Sequence, residues 1–172
     1  MMSFSVMHPL RGEGRISSKF GPRTHPVTGG ASNHNGTDIA APTGTPVYAA
    51  ADGEVTVVKY TDIAGNYITV KHEPTAQGEQ FGTDYLHLSK VLVQKGQKVK
   101  EGDIIGEVGS TGRSTGPHLH FNVQQYAPSR KWVDPERYID RVNPDMLAPI
   151  VIGGVLSLCG AAILLALYLK DR

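Results

Sequence analysis

Apolar and polar positions alternate in short bursts along most of this chain. Asn66 to His72 (NYITVKH) alternates residue by residue, and Glu54 to Tyr60 (EVTVVKY) is dense in β-branched side chains. A period of two marks a half-buried strand. Pro46 to Ala51, Phe81 to Leu88, Asp103 to Val108 and His118 to Gln125 (HLHFNVQQ) read the same way. Turn residues separate these segments: Asp52-Gly53, Ala64-Gly65-Asn66, Lys95-Gly96, Glu101-Gly102-Asp103 and Thr115-Gly116-Pro117. No segment before residue 149 keeps helical periodicity beyond about two turns. The pattern predicts an all-β domain over 1–139, with an antiparallel sheet or a sandwich-like arrangement.

The end of the chain breaks the pattern. Pro149 to Leu169 is an apolar run without a charge. As a helix it would extend ~32 Å, enough for a hydrocarbon core of ~30 Å. Tyr168 and Lys170 stand where interfacial anchors belong. The expectation is one transmembrane helix over 149–169, a polar connector over 140–148 and a short tail over 170–172. Gly153, Ser157 and Ala161 recur every four residues. This row either lets two such helices pack closely, giving self-association, or simply faces lipid. Cys159 falls inside the run. Met1 to Gly14 has no basic segment followed by an apolar stretch, so no cleavable signal is expected.

Composition narrows the function classes. With 172 residues there is room for one domain and the span. Gly (20) and Pro (11) are spread without a period, which excludes collagen-like and low-complexity chains. Lys and Arg (17) nearly balance Asp and Glu (16), so no nucleic-acid partner is expected. The single Cys cannot form an internal disulfide. Seven His beside one Cys mean that a bound metal would be held by imidazole and carboxylate.

Three clusters carry candidate chemistry: His34-Asn35-Gly36-Thr37-Asp38, Tyr85-Leu86-His87-Leu88-Ser89, and Gly116-Pro117-His118-Leu119-His120-Phe121. On a strand, His118, His120 and Asn122 share one face, while Leu119, Phe121 and Val123 share the other, which must be core. His34 and Asp38 are four apart, with Gly36 to allow a tight turn between them. His34, Asp38 and one of the two histidines of the third cluster make a His₂Asp set, which suits zinc with one position left for water. The remaining member of that pair and His87 suit proton transfer near neutrality. Leu86 and Leu88 are expected to point inward and His87 outward. A capped turn at Asp38 and surface histidines are the plainer readings of each cluster alone. His8, His25 and His72 are assigned no role. Tyr60, Tyr67, Tyr85 and Tyr126 are candidates for groove walls.

The motifs ISSKFGPR (Ile16 to Arg23), His25-Pro26, HNGTDIAAPTGTPVYAAADGEV, YLHLS and GDIIGEVGSTGRSTGPHLHF occur in this order. Over about Leu10 to Val123 the chain resembles the lysostaphin-type (LytM-domain) zinc endopeptidases of bacterial cell walls. The resemblance implies a β-rich fold with a groove across an antiparallel sheet, and one zinc ion per chain. It implies that His34, Asp38 and His120 bind the metal, and that His118 and His87 are catalytic. Zinc then acidifies a water that attacks a peptide carbonyl. His118 accepts its proton, and His87 polarises the water or stabilises the oxyanion. The implied substrate is the peptide cross-link of peptidoglycan. Two positions depart from the family pattern: Asn122 stands where Glu is frequent, and Leu86 where a small residue is common. They bear on the groove and on substrate preference.

Two other classes compete with this reading. A non-catalytic member that binds peptidoglycan or regulates a hydrolase would usually have lost ligands. A biotinyl- or lipoyl-type carrier, hinted at by the turn from Gly102 to Gly106, needs a modifiable Lys on an exposed hairpin and leaves the histidines unexplained. Location is expected at a membrane. Arg130, Lys131, Arg137 and Arg141 precede the span and Lys170 and Arg172 follow it, a weak lean towards a cytoplasmic domain. Peptidoglycan lies outside. Either the span is a reverse anchor that places the domain at the cell envelope or periplasm, or the protein is carried in a bacteriophage virion and opens the wall on entry.

Overall fold

The structure, a computed structural model, describes residues 5–24, 29–127 and 129–140. The first five strands are short: β1 (Val6–Met7), β2 (Arg15–Ser18), β3 (Gly21–Thr24), β4 (Ala31–His34) and β5 (Thr37–Ala40). Then come β6 (Pro46–Tyr48), β7 (Gly53–Thr61), β8 (Gly65–His72) and β9 (Phe81–Leu88). The remainder are β10 (Lys90–Val91), β11 (Lys98–Val99), β12 (Ile104–Glu107), β13 (His118–Gln125), β14 (Lys131–Val133) and β15 (Ile139–Asp140). A single 3-10 turn, Pro135–Arg137, is the only helical element among the described residues.

The large sheet runs β11-β7-β8-β9-β13-β5-β2, with β14 also paired to β13. A three-stranded sheet, β10-β12-β6, and the pair β3-β4 complete the antiparallel part. The expected antiparallel pattern has one exception. β1 pairs parallel with β15, Val6 opposite Ile139, and ties the beginning of the domain to its end.

One face of the large sheet is dry. Val55, Ile68, Val70, Tyr85, Leu119, Phe121 and Val123 are fully buried there, in one cluster with Val47 of β6 and Ile105 of β12. Burying these side chains contributes roughly 1.5–3 kcal/mol each. The three-stranded sheet shares this core, so the other face of β13 is left to carry polar groups. Alternation along β13 follows expectation: Leu119, Phe121 and Val123 are in the core, and His118, His120 and Asn122 line a cleft. Tyr85 does not serve as a groove wall. It is wholly buried, with its hydroxyl accepting from Ala50 N–H at 2.8 Å. Tyr60, Tyr67 and Tyr126 do not line the cleft either.

The six strands expected from residue 46 onward are all present, with ends shifted by a few residues. Strands β2 to β4 carry no apolar alternation (RISS, GPRT, ASNH), because they are held by backbone pairing at the rim more than by burial. No helix among the described residues is long and apolar enough to cross a membrane. The expected span over 149–169, its Gly153–Ser157–Ala161 row and the tail lie outside the described residues. So does the connector except Asp140, which closes β15.

Candidate functional site

The site is built on strand pairing. Antiparallel register sets His120 of β13 directly opposite Asp38 of β5 on one side and Leu86 of β9 on the other. Cross-strand neighbours lie within ~5.5 Å at Cβ, close enough for their side chains to share one ligand. His34, the last residue of β4, completes the set. Asp38 Oδ1 lies 2.7 Å from His120 Nδ1 and 3.2 Å from His34 Nε2, and the two nitrogens are 3.0 Å apart.

These three atoms could hold one metal ion. His34 Nδ1 lies 2.8 Å from the Lys19 carbonyl oxygen, which can only accept, so Nδ1 carries the hydrogen. His34 Nε2 therefore brings a bare lone pair to the cluster. Three lone-pair atoms meeting at a point repel one another unless a cation sits between them. Two imidazoles and a carboxylate are a donor set zinc accepts. On geometry and donor chemistry the residues fit one zinc ion.

Asp38 is held in its charged form. Burial alone would raise its carboxyl, but the close contacts with the His120 and His34 rings outweigh that and keep it well below the usual carboxylate range. Its second oxygen, Oδ2, accepts from Arg23 Nη1 at 3.1 Å, and the same guanidinium reaches Ser18 Oγ. Arg23 thus commits one carboxylate oxygen and leaves Oδ1 for the donor cluster.

Gly36 matters here for a reason other than turn flexibility. Its backbone is not left-handed. A Cβ at this position would collide with Asn122 Oδ1 and reach within 3.0 Å of His120 Nε2. The glycine allows the link between β4 and β5 to lie against β13. Asn122 Oδ1 is buried without a hydrogen-bond partner, while Asn122 Nδ2 donates to Asp84 Oδ2 at 3.4 Å.

His87 reaches the cleft by a device that alternation does not reveal. Tyr85 is in the core, so strict alternation would send Leu86 outward and His87 inward. Leu86 does line the cleft, contrary to the inward expectation, yet His87 lines it too and Leu88 returns to the core. Between Asn66–Leu88 and Ile68–Tyr85 the register takes two steps on β8 and three on β9. This bulge, with His87 at a left-handed φ of 64°, turns two consecutive side chains into the cleft. His87 Nδ1 donates to the Thr111 carbonyl at 2.8 Å, so Nε2 is its free nitrogen. Burial lowers its pKa to about 4, with the neighbouring His118 and His120 adding to the effect against the Thr111 bond. The ring is neutral at pH 7.

His118 lies across from it, ring centroids 4.8 Å apart. Its Nδ1 donates to the Gly116 carbonyl at 2.8 Å, and its Nε2 lies 3.7 Å from Asp38 Oδ1. All five residues singled out in the sequence therefore border one cleft of about 340 Å³. Sequence reasoning missed Arg23 and the Lys19, Thr111 and Gly116 carbonyls. All four stand inside the quoted motifs, but a backbone acceptor leaves no trace in side-chain patterns, and nothing in its motif marks Arg23 as a partner of Asp38. Of the histidines assigned no role, His8 Nδ1 accepts from Leu10 and Gly12 N–H groups, and His72 is buried on the core side. His25 lies outside the described residues.

An open sheet face with a His–Asp–His donor set and two further imidazoles is the outline of a single-metal hydrolase site. The chain belongs to peptidase family M23, whose profile matches residues 32–135. It is 51% identical over 117 residues to the peptidoglycan DD-endopeptidase ShyA of Vibrio cholerae, covering 67% of this chain and 26% of the relative. A crystal structure of a zinc-containing peptidase from Vibrio cholerae is 49% identical, with a TM-score of 0.62 over 71% of this chain and 36% of that one. The catalytic domain of lysostaphin from Staphylococcus simulans is 34% identical, with a TM-score of 0.64 over 74% of this chain and 93% of that domain. The chain spans about a quarter of the length of the curated relatives it matches.

Proposed function

We propose that the protein is a zinc-dependent endopeptidase that hydrolyses peptide cross-links of bacterial peptidoglycan. The observation that carries this reading is the convergence of His34 Nε2, Asp38 Oδ1 and His120 Nδ1 beside two imidazoles whose Nδ1 hydrogens are already committed to backbone carbonyls. Similarity to enzymes named as peptidoglycan DD-endopeptidases supports the substrate class.

In this reading His34, Asp38 and His120 hold the zinc, which supplies a Lewis acid that acidifies water and polarises a carbonyl. His118 Nε2, 3.7 Å from Asp38 Oδ1, takes the proton from the attacking water and returns it to the departing amine. His87, kept neutral by burial, accepts a hydrogen bond from that water through Nε2. Of the two roles expected for His87, a neutral acceptor supports polarising the water over binding an oxyanion. Arg23 keeps Asp38 oriented, and the walls of the cleft receive the peptide.

Membrane anchoring through 149–169 is part of the proposal, supported by the length of that uncharged run. Within it, the row Gly153, Ser157 and Ala161 either packs two such helices together or faces lipid. Fractionation of the full chain between virions and cell envelope decides between the two settings, phage entry and envelope remodelling.

The test is digestion of purified sacculi by the zinc-loaded full chain, with released muropeptides read by mass spectrometry. New amino termini within cross-links, absent with His118→Ala, are expected. Intact sacculi in the presence of stably bound zinc would contradict the enzyme and favour a binding protein of the same fold.

A further inference from the structure

One side chain on the cleft wall has no part in the chemistry above. Arg113 is exposed, lines the cleft, and its guanidinium makes no hydrogen bond or ion pair among the described residues. The other guanidinium on the wall, Arg23, is occupied by Asp38 and Ser18. Among the described residues Asp38 is the only carboxylate lining the cleft, and the metal would claim it.

The backbone under Arg113 is fixed. Its N–H donates to the Ile63 carbonyl at 3.0 Å. Gly112, at a φ of 71°, packs so closely on Gly65 that a Cβ would collide with the Gly65 nitrogen. Thr111 Oγ1 donates to the Leu88 carbonyl at 2.8 Å. The same short segment orients both rings outside the donor set, through the Thr111 carbonyl to His87 and the Gly116 carbonyl to His118. The backbone from which Arg113 reaches into the cleft is therefore fixed relative to both rings.

Resting on the endopeptidase reading, we propose that Arg113 is a specificity determinant that binds a free carboxylate of the substrate beside the scissile amide. A planar guanidinium pairs with a carboxylate through two parallel charge-assisted hydrogen bonds. A cross-link made on the distal amine of a diamino dicarboxylic acid leaves such a carboxylate on the carbon that bears the amide nitrogen. An amide inside a polyglycine bridge has none. Arg113 thus selects direct cross-links of the dicarboxylic type.

The test compares two synthetic cross-linked peptides, identical except that this carboxylate is free in one and a carboxamide in the other. The zinc-loaded full chain is expected to favour the free acid by about tenfold or more in kcat/KM, mostly through KM, the scale of one charge-assisted contact. Arg113→Gln brings the ratio to about one, and Arg113→Lys keeps part of it. Calorimetric binding of both peptides to His118→Ala, with and without Arg113→Gln, reads selectivity without turnover. Cleavage of both peptides at equal rates overturns the inference and leaves the endopeptidase intact. Selective binding that depends on Arg113, without cleavage of either peptide by the unmodified chain, upholds the inference and overturns the endopeptidase. Binding and cleavage both absent overturn both.

Discussion

His120 Nδ1 and Asp38 Oδ1 lie 2.7 Å apart because their residues face each other across the antiparallel pair β13 and β5. These two donors are therefore as rigid as the sheet that carries them, while His34 joins them from the separate pair β3 and β4. Four residues of β13 pair with β5 on one side and six with β9 on the other, so neither strand can slip without flipping every core side chain to the wrong face.

Gly36→Ala tests how closely the rim must approach that pair. The added methyl meets Asn122 Oδ1 and the Phe121 carbonyl. The variant is expected to lose about 1–3 kcal/mol of stability, the usual cost of overpacking, and to bind zinc more weakly. Urea titration and zinc affinity check both. Unchanged values in both would mean that the link from β4 to β5 moves freely away from β13.

Arg23→Met removes the partner of Asp38 Oδ2 without touching a donor. Outer partners of metal ligands typically contribute ten- to a hundredfold in affinity. Competition with a chelator is expected to show a zinc affinity lower by that factor, with secondary structure by circular dichroism unchanged.

The long strands of the domain were legible in its sequence because Ile68, Val70, Leu119, Phe121 and Val123 alternate with polar neighbours. The short strands β2 to β5 were not, although β4 and β5 bring His34 and Asp38. Their pairing lies in backbone hydrogen bonds, which composition does not encode. Of the five site residues, His118 and His120 followed from the period of two. The spacing of His34 and Asp38 pointed to one ligand set, but the choice of His120 over His118 needed the family resemblance. Simple alternation about Leu86 and Leu88 puts His87 in the cleft for the wrong local reason. The bulge that aims it depends on register with β8, a long-range property absent from the run Leu86-His87-Leu88.

His72 makes a prediction about stability. It is buried, with Nδ1 donating to the Asp52 carbonyl and Nε2 2.8 Å from Thr83 Oγ1. Burial lowers its pKa to about 4, against bonds to the Asp52 and Ala51 backbone that pull the other way. Between about pH 6.5 and pH 4 the unfolded chain takes up a proton that the folded one refuses. Its stabilising contribution is complete above pH 6.5 and is lost as pH falls towards 4, by up to ~3 kcal/mol. Denaturant titrations at pH 7 and 4.5 are expected to differ less for His72→Gln than for the unmodified chain. Equal differences would exclude His72 as the source.

His87→Ala removes the neutral acceptor without removing a proposed ligand. It is expected to lower kcat on sacculi by about a hundredfold or more while one zinc remains bound. Because His87 titrates near pH 4, its protonation removes the acceptor only as pH falls towards that value. An NMR titration of the His87 ring in His118→Ala follows that protonation without the His118 ring. A midpoint well above pH 5 in that variant would contradict the assignment.

The division of labour among the five residues is the central claim, and zinc content measures it most directly. The full chain and its His34→Ala, Asp38→Ala, His120→Ala, His87→Ala and His118→Ala variants are dialysed against trace zinc and analysed by elemental mass spectrometry. One zinc per chain is expected in the unmodified protein and in the His87 and His118 variants, and much less than one in the other three. Full zinc in Asp38→Ala, or its loss in His118→Ala with the fold intact, would contradict the account.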